Sequence, residues 1–367
     1  MSDETLKRTN LYEWHVAHGG RMVPFAGWEM PVQYPTGPTE EHHATRNAAG
    51  LFDIDHMAQF SVNGADAEAY LNHMTSWDTT LMQVNDAHYA LLCYDDGTIV
   101  DDIYLYRLPN RWFVALNASN REKDLKWMQS HTDGFDVTVT DVSDETYMMA
   151  LQGPKAIEIL QKVTEVSMAS VPRFTVAEGN VAGIPTLISR TGYTGEDGVE
   201  LFFDASRAVE MWETLLKVGE PLGLKPVGLA ARDSLRFEPS FPLYGHEISA
   251  DVTPIEARLG WALKLNKPFI GRDAILKVKL EGPQKLLVGF EMVDKGVPRE
   301  HYRVAVNGEF VGEVVTGIFA PTVGKFAGHA YVPAKFAKVG TKIQIEIRGK
   351  LKEAVIIRRP FYRPAYK

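Results

Sequence analysis

The stretch HYALLCYDDGTIVDDIYLYRL, from His88 to Leu108, consists of two β-rich runs on either side of an Asp96-Gly97 pair. Asp-Gly between alternating apolar residues is a strong signal for a tight hairpin turn. Because successive side chains of a strand point to opposite faces, the second run has an apolar face and a face with Asp102, Tyr104 and Tyr106. The stretch therefore predicts a β-hairpin that carries a carboxylate and two phenols on one side of its second strand.

Strands and helices alternate on both sides of this hairpin. Residues 52–140 indicate a compact α+β unit, and a second α+β segment follows, with helices predicted after Gly153-Pro154 and over 206–218. From residue 286 to 360 the chain changes to short strands separated by turn signals such as Asn307-Gly308. The predicted fold class is therefore α+β, with two α+β units and a C-terminal all-β domain.

Composition limits the possible classes of function. The chain has 367 residues, and 39 Lys plus Arg against 47 Asp plus Glu give a net charge of -8. This balance disfavours a nucleic-acid binder, which carries a basic face, and it means that anionic ligands must be met by local basic groups. The only cysteine, Cys93, excludes an intrachain disulfide framework and fits a reducing cytoplasm. No apolar run approaches the roughly 18 residues of a membrane span, and the first residues lack the apolar core of a secretory signal.

Asp102 is the first candidate for chemistry. If its strand face lines a cavity, the carboxylate can accept a proton or a hydrogen bond from a bound amine while the phenols hold a flat ligand. A solvated strand face near a turn has the same alternation. The pattern alone leaves both interpretations open.

Glu200 is the second candidate. The segment RTGYTGEDGVELFF, residues 190–203, packs glycines between two strand-like runs more densely than a tight turn needs, which predicts a loop shaped around another group. Glu200 then shares a strand face with Phe202, an arrangement that suits a carboxylate accepting two parallel hydrogen bonds from an amidine-like edge. An exposed strand glutamate is the alternative.

The remaining charged groups give weaker signals. Arg232, Arg236 and Glu238 lie within two helical turns and fit either an ion-pair network or a site for an anionic ligand. The network is favoured for Arg236, and Arg232 stays open. The 11 histidines form no HExxH motif and no run with carboxylates at ligand spacing, so we expect no metal site.

Specific motifs follow one another along nearly the whole chain. They are HGGRMVPFAGWEMPVQY (18–34), EEH-x-x-x-R-x-x-x-G-L-F-D (40–53), GTIVDDIYLYRL (97–108), LNASNREKDLKW (116–127), ALQGPKA (150–156), RTGYTGEDG (190–198), GLAARDSLRFE (228–238), PLYGHE (242–247), GK (324–325) and PFYR (360–363). In this order they resemble the glycine-cleavage T-protein (aminomethyltransferase) family. The resemblance implies three packed domains around a central tetrahydrofolate channel.

The resemblance also implies where these domains lie. We expect a discontinuous folate-binding α+β domain at 1–53 and 145–280, and a second α+β domain with the catalytic aspartate at 54–144. Both should have antiparallel sheets. The all-β domain at 281–367 should be a β-barrel or jelly-roll-like domain.

The resemblance assigns roles to individual residues. Asp102 matches the catalytic aspartate of the family, and Glu200 matches the carboxylate that binds the amino edge of the pterin ring. Arg232 and Arg363 match arginines that contact polar parts of the cofactor, including its glutamate tail. The other pocket-lining positions are Tyr89, Tyr106, Asn117 and Tyr193.

The implied reaction takes an aminomethyl group from the lipoyl arm of the glycine-cleavage H-protein, releases ammonia and forms 5,10-methylenetetrahydrofolate. The lipoylated H-protein and folate are the expected partners, with no nucleic acid and no membrane. The expected location is the cytoplasm.

Two segments depart from the family pattern. The family usually has Ser-His-Met-Gly at 55–58 and Glu-Ala-Gly-Met at 238–241, where this chain has Asp-His-Met-Ala and Glu-Pro-Ser-Phe. Both segments are expected to border the entry of the one-carbon donor, which makes Asp55, His56 and Met57 candidate donor-side residues. The departures slightly favour an alternative reaction, a tetrahydrofolate-dependent demethylation of a sulfonium, quaternary amine or methoxy donor.

A folate-binding protein without transferase activity is a third alternative. The iron–sulfur assembly relatives of this fold carry a KGCYxGQE signature that is absent here, and Asp102 is present. This alternative therefore ranks last.

Overall fold

The computed structural model describes residues 6–366. They form two compact units, the first made of residues 6–71, 79–89 and 103–235 and the second of residues 72–78, 90–102 and 236–366. The finer division into three domains stays a prediction.

Short α-helices lie between the strands of the described chain. They are α1 (Tyr12–Ala17), α2 (Pro38–Asn47), α3 (Ala67–Met74), α4 (Arg121–Gln129), α5 (Ala156–Gln161), α6 (Ala208–Gly219), α7 (Leu229–Phe237) and α8 (Arg272–Glu281). In α6, Ala208, Met211, Trp212 and Leu215 recur at helical spacing and are all buried, so one face of the helix packs on the core. None of the helices within 6–366 is long and apolar enough to cross a membrane.

The strands account for most of the regular structure. They are β1 (Lys7–Arg8), β2 (Arg21–Phe25), β3 (Trp28–Gln33), β4 (Ala49–Asp53), β5 (Ala58–Asn63), β6 (Ala87–Cys93), β7 (Ile99–Arg107), β8 (Trp112–Leu116), β9 (Thr138–Asp141), β10 (Thr146–Gln152), β11 (Val176–Val181), β12 (Ile184–Ser189), β13 (Gly198–Asp204), β14 (Leu224–Pro226), β15 (Lys285–Met292), β16 (Arg303–Val306), β17 (Glu309–Ala320), β18 (Lys325–Pro333), β19 (Lys342–Ile347) and β20 (Lys350–Ile357).

The first unit contains a six-stranded sheet in the order β11-β12-β13-β10-β4-β14 and a small sheet in the order β1-β3-β2. Its large sheet is antiparallel except for the parallel pair of β14 with β4. Buried side chains such as Leu51, Met149 and Leu201 pack with Trp212 of α6 in one core cluster. This sheet therefore has a helix-covered apolar face, as an α+β unit requires.

The hairpin predicted at Asp96-Gly97 is present. Tyr94 and Thr98 close the turn with a 2.9 Å backbone hydrogen bond, and Gly97 has φ +83°, a conformation that favours glycine. Its strands β6 and β7 belong to a sheet in the order β6-β7-β8-β5-β9. In β7, Ile103 and Leu105 are buried and Asp102 and Tyr104 are half-buried, which matches the predicted alternation.

The C-terminal part of the second unit is a closed barrel in the order β15-β18-β17-β16-β19-β20. Gly289 of β15 lies opposite His329 of β18 on one side and opposite Ile357 of β20 on the other, and this pairing closes the barrel. Inward residues such as Phe290 and Val314 form its core. Closure leaves no unpaired strand edge, and the predicted α+β class with a C-terminal β-barrel is confirmed.

Candidate functional site

Aromatic rings line one part of the first unit. The rings of Tyr104 and Tyr106 on β7 are stacked with centroids 6.1 Å apart, and the edge of Tyr89 on β6 meets Tyr104 at 6.0 Å. Tyr106 also meets Phe202 of β13 at 5.6 Å. Tyr106 is fully buried, whereas Tyr89 and Tyr104 are half-buried. This aromatic cluster offers apolar contact to a flat ring of a ligand.

Glu200 lies on β13 beside this aromatic cluster. Its backbone is opposite Ala150 of β10 and Ser189 of β12, so it lies in the interior of the sheet, and the residue is 8% exposed. Glu200 is therefore not the exposed strand glutamate of the alternative interpretation. The carboxylate accepts a single hydrogen bond among the described residues, from Thr191 Oγ1 at 2.5 Å.

The protonation of Glu200 reflects this environment. Burial raises the pKa of its carboxyl above the ordinary value, and the Thr191 hydrogen bond and the charge of Arg232 oppose the rise. A buried carboxylate with one partner retains acceptor capacity, because an ionised carboxylate has about four lone-pair sites. The remaining sites can accept hydrogen bonds from a ligand.

The Tyr106 hydroxyl is a second polar group with unused capacity. It is buried near Thr191 and Ser189 but has no hydrogen bond of regular geometry to any residue in the range 6–366. Burial and the neighbouring Glu200 raise its pKa well above the ordinary value, so the phenol stays protonated at neutral pH. Glu200 and Tyr106 together supply an acceptor and a donor next to aromatic rings.

The buried side-chain amide of Gln152 forms hydrogen bonds with the glycine-rich loop 190–198 and with the start of β13. Gln152 Nε2 donates to the carbonyls of Thr191 at 3.1 Å and Val199 at 3.0 Å, and Gln152 Oε1 accepts from Thr194 Oγ1 at 3.1 Å. A Cβ on Gly192 would lie 1.9 Å from Gln152 Oε1. Glycine is required there because the loop passes directly over the amide.

Two arginines hold the same loop from its sides. Arg46 of α2 donates to Glu196 Oε1 at 2.8 Å and to the Thr194 carbonyl at 2.7 Å, and its side chain is 3% exposed. Arg190 forms two hydrogen bonds with Asp197, at 2.8 and 2.9 Å. These contacts fix the backbone of the loop, and the fixed backbone positions Tyr193.

Arg232 of α7 lies over the Tyr193 ring, with its guanidinium carbon 4.8 Å from the centroid. Its charge acts on both Glu200 and His56, so these side chains are neighbours in the first unit. Arg236 is different. It belongs to the second unit, where it forms an ion pair with Glu247 at 2.6 Å.

The three candidate donor-side residues follow β4 in the first unit. Asp55 is buried and accepts a hydrogen bond from the Met148 backbone N–H at 3.1 Å. Burial raises the pKa of Asp55 to about 8, and the charge of Asp53 adds to the rise. Its carboxyl is therefore mostly protonated at neutral pH.

His56 and Met57 lie against the site described above. Burial, with the charge of Arg232, lowers the pKa of His56 to about 3, and its Nδ1 has no hydrogen-bond partner in the described part of the chain. Met57 is half-buried and packs in the cluster that contains Tyr106 and Phe202. The segment 55–57 is therefore adjacent to the aromatic cluster.

The other predicted residues lie as follows. Asn117 is half-buried after β8, and its carbonyl accepts from Asn120 N at 3.0 Å. Asp102 is half-buried in β7 and ends the 90–102 segment of the second unit, whereas its neighbour Asp101 is fully buried. Arg363 is exposed, beyond β20 in the second unit. The structure thus brings Tyr89, Tyr106, Tyr193, Glu200 and Arg232 together in the first unit.

Sequence reasoning missed the residues that support this group. Thr191, Gln152 and Arg46 make the contacts that position Glu200 and the loop. All three lie inside the quoted motifs RTGYTGEDG, ALQGPKA and EEH-x-x-x-R, and this membership is the sequence signal that could have identified them. Their roles depend on contacts with distant parts of the chain.

Two family models match the sequence. The GCVT N-terminal domain matches residues 11–267, and the glycine cleavage T-protein C-terminal barrel domain matches residues 285–363. A protein named aminomethyltransferase from Symbiobacterium thermophilum is 49% identical, covering 100% of both chains. Another from Herpetosiphon aurantiacus is 46% identical, covering 99% of this chain and 100% of its own.

A solved structure agrees with these matches. The crystal structure of glycine cleavage system aminomethyltransferase T from Bartonella henselae has a TM-score of 0.92 at 34% identity. The match covers 98% of this chain and 99% of the other. The chain belongs to the glycine cleavage T-protein family.

Proposed function

We propose that this protein is the aminomethyltransferase of a glycine cleavage system, a one-carbon transferase that uses tetrahydrofolate as the acceptor. The observation that carries this conclusion is full-length identity of 49% to a protein of that name, with both family domains present in order. The predicted activity and cofactor agree with it.

The residues of the first unit fit tetrahydrofolate. A pterin ring is flat and has a donor edge, which matches the aromatic cluster and the open acceptor sites of Glu200. The Tyr106 hydroxyl lacks a regular hydrogen bond within the described residues, and Arg232 and Tyr193 supply a cation and a ring for other polar and flat parts of the ligand. When bound, tetrahydrofolate supplies the amine that accepts the one-carbon unit.

Asp102 is the residue to which we assign the chemical step. Its carboxylate would accept a hydrogen bond from the attacking amine and stabilise the cation that develops as ammonia leaves. The half-buried position of Asp102 in β7 suits this electrostatic role, because a partly closed site strengthens charge interactions. No covalent bond between protein and substrate is required, since orientation alone can lower a bimolecular barrier by about 7–11 kcal/mol at the well-aligned extreme.

The donor is the finer part of the proposal. We assign it as the aminomethyl group on the lipoyl arm of the glycine-cleavage H-protein, which makes that protein the partner. The demethylase alternative would need an ionised group for a sulfonium or quaternary amine. Asp55 does not provide one at neutral pH, because its pKa is raised to about 8 and its Oδ1 already accepts the Met148 N–H.

Identifying the folate product tests the proposal. Purified protein is incubated with tetrahydrofolate and either aminomethylated H-protein or a sulfonium, quaternary amine or methoxy donor, with Asp102→Asn as the matched control. We expect 5,10-methylenetetrahydrofolate and ammonia with the H-protein only. Formation of 5-methyltetrahydrofolate from a small donor, with no product from the H-protein, would establish the demethylase instead.

A further inference from the structure

Two arginines of the second unit approach the same strand of the barrel. The stem of Arg359, just beyond β20, lies over Gly289 of β15, where a Cβ would come within 2.6 Å of Arg359 Cγ. Arg258 Nε points to the carbonyl of Leu287, two residues earlier on β15, at 3.4 Å. Two residues of a strand span about 7 Å, and the charge of Arg258 acts on Arg359, so the two side chains are neighbours.

Arg359 has charge without a partner. It is partly buried, and it makes no hydrogen bond or ion pair with any residue of the described range 6–366. Burial lowers the pKa of Arg359 to about 10, and the charge of Arg258 contributes to the decrease. A guanidinium group presents five N–H donors, and the partial exposure of Arg359 leaves its donors accessible to a ligand.

The nearest carboxylate cannot serve as that partner. Glu247 Oε2 accepts from Arg236 at 2.6 Å, and Glu247 Oε1 lies 2.8 Å from His329 Nδ1. The charge of Glu247 is therefore already balanced by Arg236 and His329. These two side chains hold the pKa of Glu247 well below its usual range, although burial alone would raise it. Arg258 is exposed and Arg359 is partly buried, and neither forms an ion pair within residues 6–366, so their positive charge is open to a ligand.

The backbone at Arg258 is an independent observation. Its φ is +64°, a left-handed conformation that favours glycine and is strained for an arginine. Such strain is retained where the side chain is needed. Within residues 6–366, the side chain of Arg258 makes one hydrogen bond, from Nε to the Leu287 carbonyl at 3.4 Å, which is too weak to explain the strain.

We propose that Arg258 and Arg359 form a binding site for an oxyanion, a phosphate or carboxylate group. The planar guanidinium fork matches both groups, and two forks on one side can hold a dianion. In a chain of net charge -8 an anion must be met by such a local pair. The site uses none of the residues assigned to the pterin.

Inorganic phosphate is the first probe, used with the full-length protein. Phosphate is titrated at constant ionic strength against sodium chloride, and thermal unfolding and calorimetry are measured for wild type, Arg359→Gln, Arg258→Gly and Arg358→Gln. Arg358 is the exposed neighbour of Arg359 and serves as the matched control. A triglutamate peptide is titrated in the same way to distinguish a phosphate ligand from a carboxylate ligand.

Saturable stabilisation of wild type and Arg358→Gln by phosphate, triglutamate or both supports the site. Binding should be at least about tenfold weaker in Arg359→Gln, the loss expected for one charge-assisted contact. Arg258→Gly should also lose the response while being more stable than wild type without ligand, because the strain is relieved. This variant carries the test if Arg359→Gln does not fold. A wild type that responds only as it does to chloride, or variants that respond like wild type, would overturn the proposal.

Discussion

Two carboxylates of the first unit are almost equally buried and are bonded very differently. Asp53, at the end of β4, is 5% exposed and accepts hydrogen bonds from Thr9 at 2.6 Å, Tyr147 at 2.9 Å and the Asp55 N–H at 3.1 Å, with His15 Nε2 at 2.9 Å. Glu200 is 8% exposed and accepts one hydrogen bond from the residues that the structure describes. The protein therefore satisfies one buried carboxylate completely and leaves the other with open acceptor sites.

The pKa directions follow from this difference. Burial alone would raise the pKa of Asp53, but its hydrogen bonds, first of all from His15, outweigh burial and hold it below the usual value. Burial prevails at Glu200, where the pKa is raised. A satisfied buried charge serves the fold, whereas an incompletely satisfied one marks a place where a ligand completes the set.

The largest effect is expected on the Asp53 side of the comparison. Asp53→Asn removes the charge and places an amide N–H₂ against groups that donate to Asp53, so the free energy of unfolding should fall by about 3–5 kcal/mol. Urea unfolding near neutral pH measures it. Tetrahydrofolate affinity of the folded variant should stay within a few-fold of wild type. A loss of less than about 1 kcal/mol would mean that the Asp53 network contributes little.

Asp102 tests whether a third carboxylate serves chemistry rather than binding or folding. Asp102→Asn keeps the shape and removes the charge, so turnover with aminomethylated H-protein should fall by roughly 10² or more while tetrahydrofolate still binds. Steady-state rates and calorimetry measure the two quantities. Asp101→Asn, at the fully buried neighbour, should change stability more than turnover. Unchanged turnover in Asp102→Asn would remove this residue from the mechanism.

Asp55 gives a smaller effect that depends on pH. Because its folded pKa of about 8 lies above the ordinary value of 3.8, the stability from binding this proton is fully present below about pH 3.8 and is lost as the pH rises to about 8. Asp55→Asn resembles the protonated carboxyl and removes the dependence. Between pH 6 and pH 9, wild type should therefore lose stability relative to the variant in chemical unfolding. A parallel pH profile for the two proteins would show that Asp55 titrates normally.

Local patterns in the sequence account for part of the site. Alternation around Asp96-Gly97 predicts the hairpin and a strand face shared by Asp102 and Tyr104, because strand geometry depends only on neighbouring residues. The family resemblance supplied the roles of Glu200 and Arg232, and these roles stay predictions. The order of motifs was sufficient for the family, which is confirmed.

The rest depends on contacts between distant parts of the chain. The Thr191 hydrogen bond to Glu200 requires the register of β12 against β13, and the effect of Arg232 on His56 joins residues far apart in sequence. The sequence pattern separates segment 55–57 from the folate residues, yet Met57 packs in the cluster that contains Tyr106. No periodicity within either segment encodes that proximity.

One paired measurement tests the central claim, that Glu200 is buried for tetrahydrofolate rather than for the fold. Glu200→Gln replaces an acceptor with a group that also donates, against the donor edge of the pterin, which should cost about 1–3 kcal/mol of binding. Calorimetric titration of tetrahydrofolate and urea unfolding are performed on this variant and on Asp53→Asn. We expect Glu200→Gln to lose tetrahydrofolate affinity and keep its stability, and Asp53→Asn to lose stability and keep its tetrahydrofolate affinity. Equal tetrahydrofolate affinity in wild type and Glu200→Gln would contradict it.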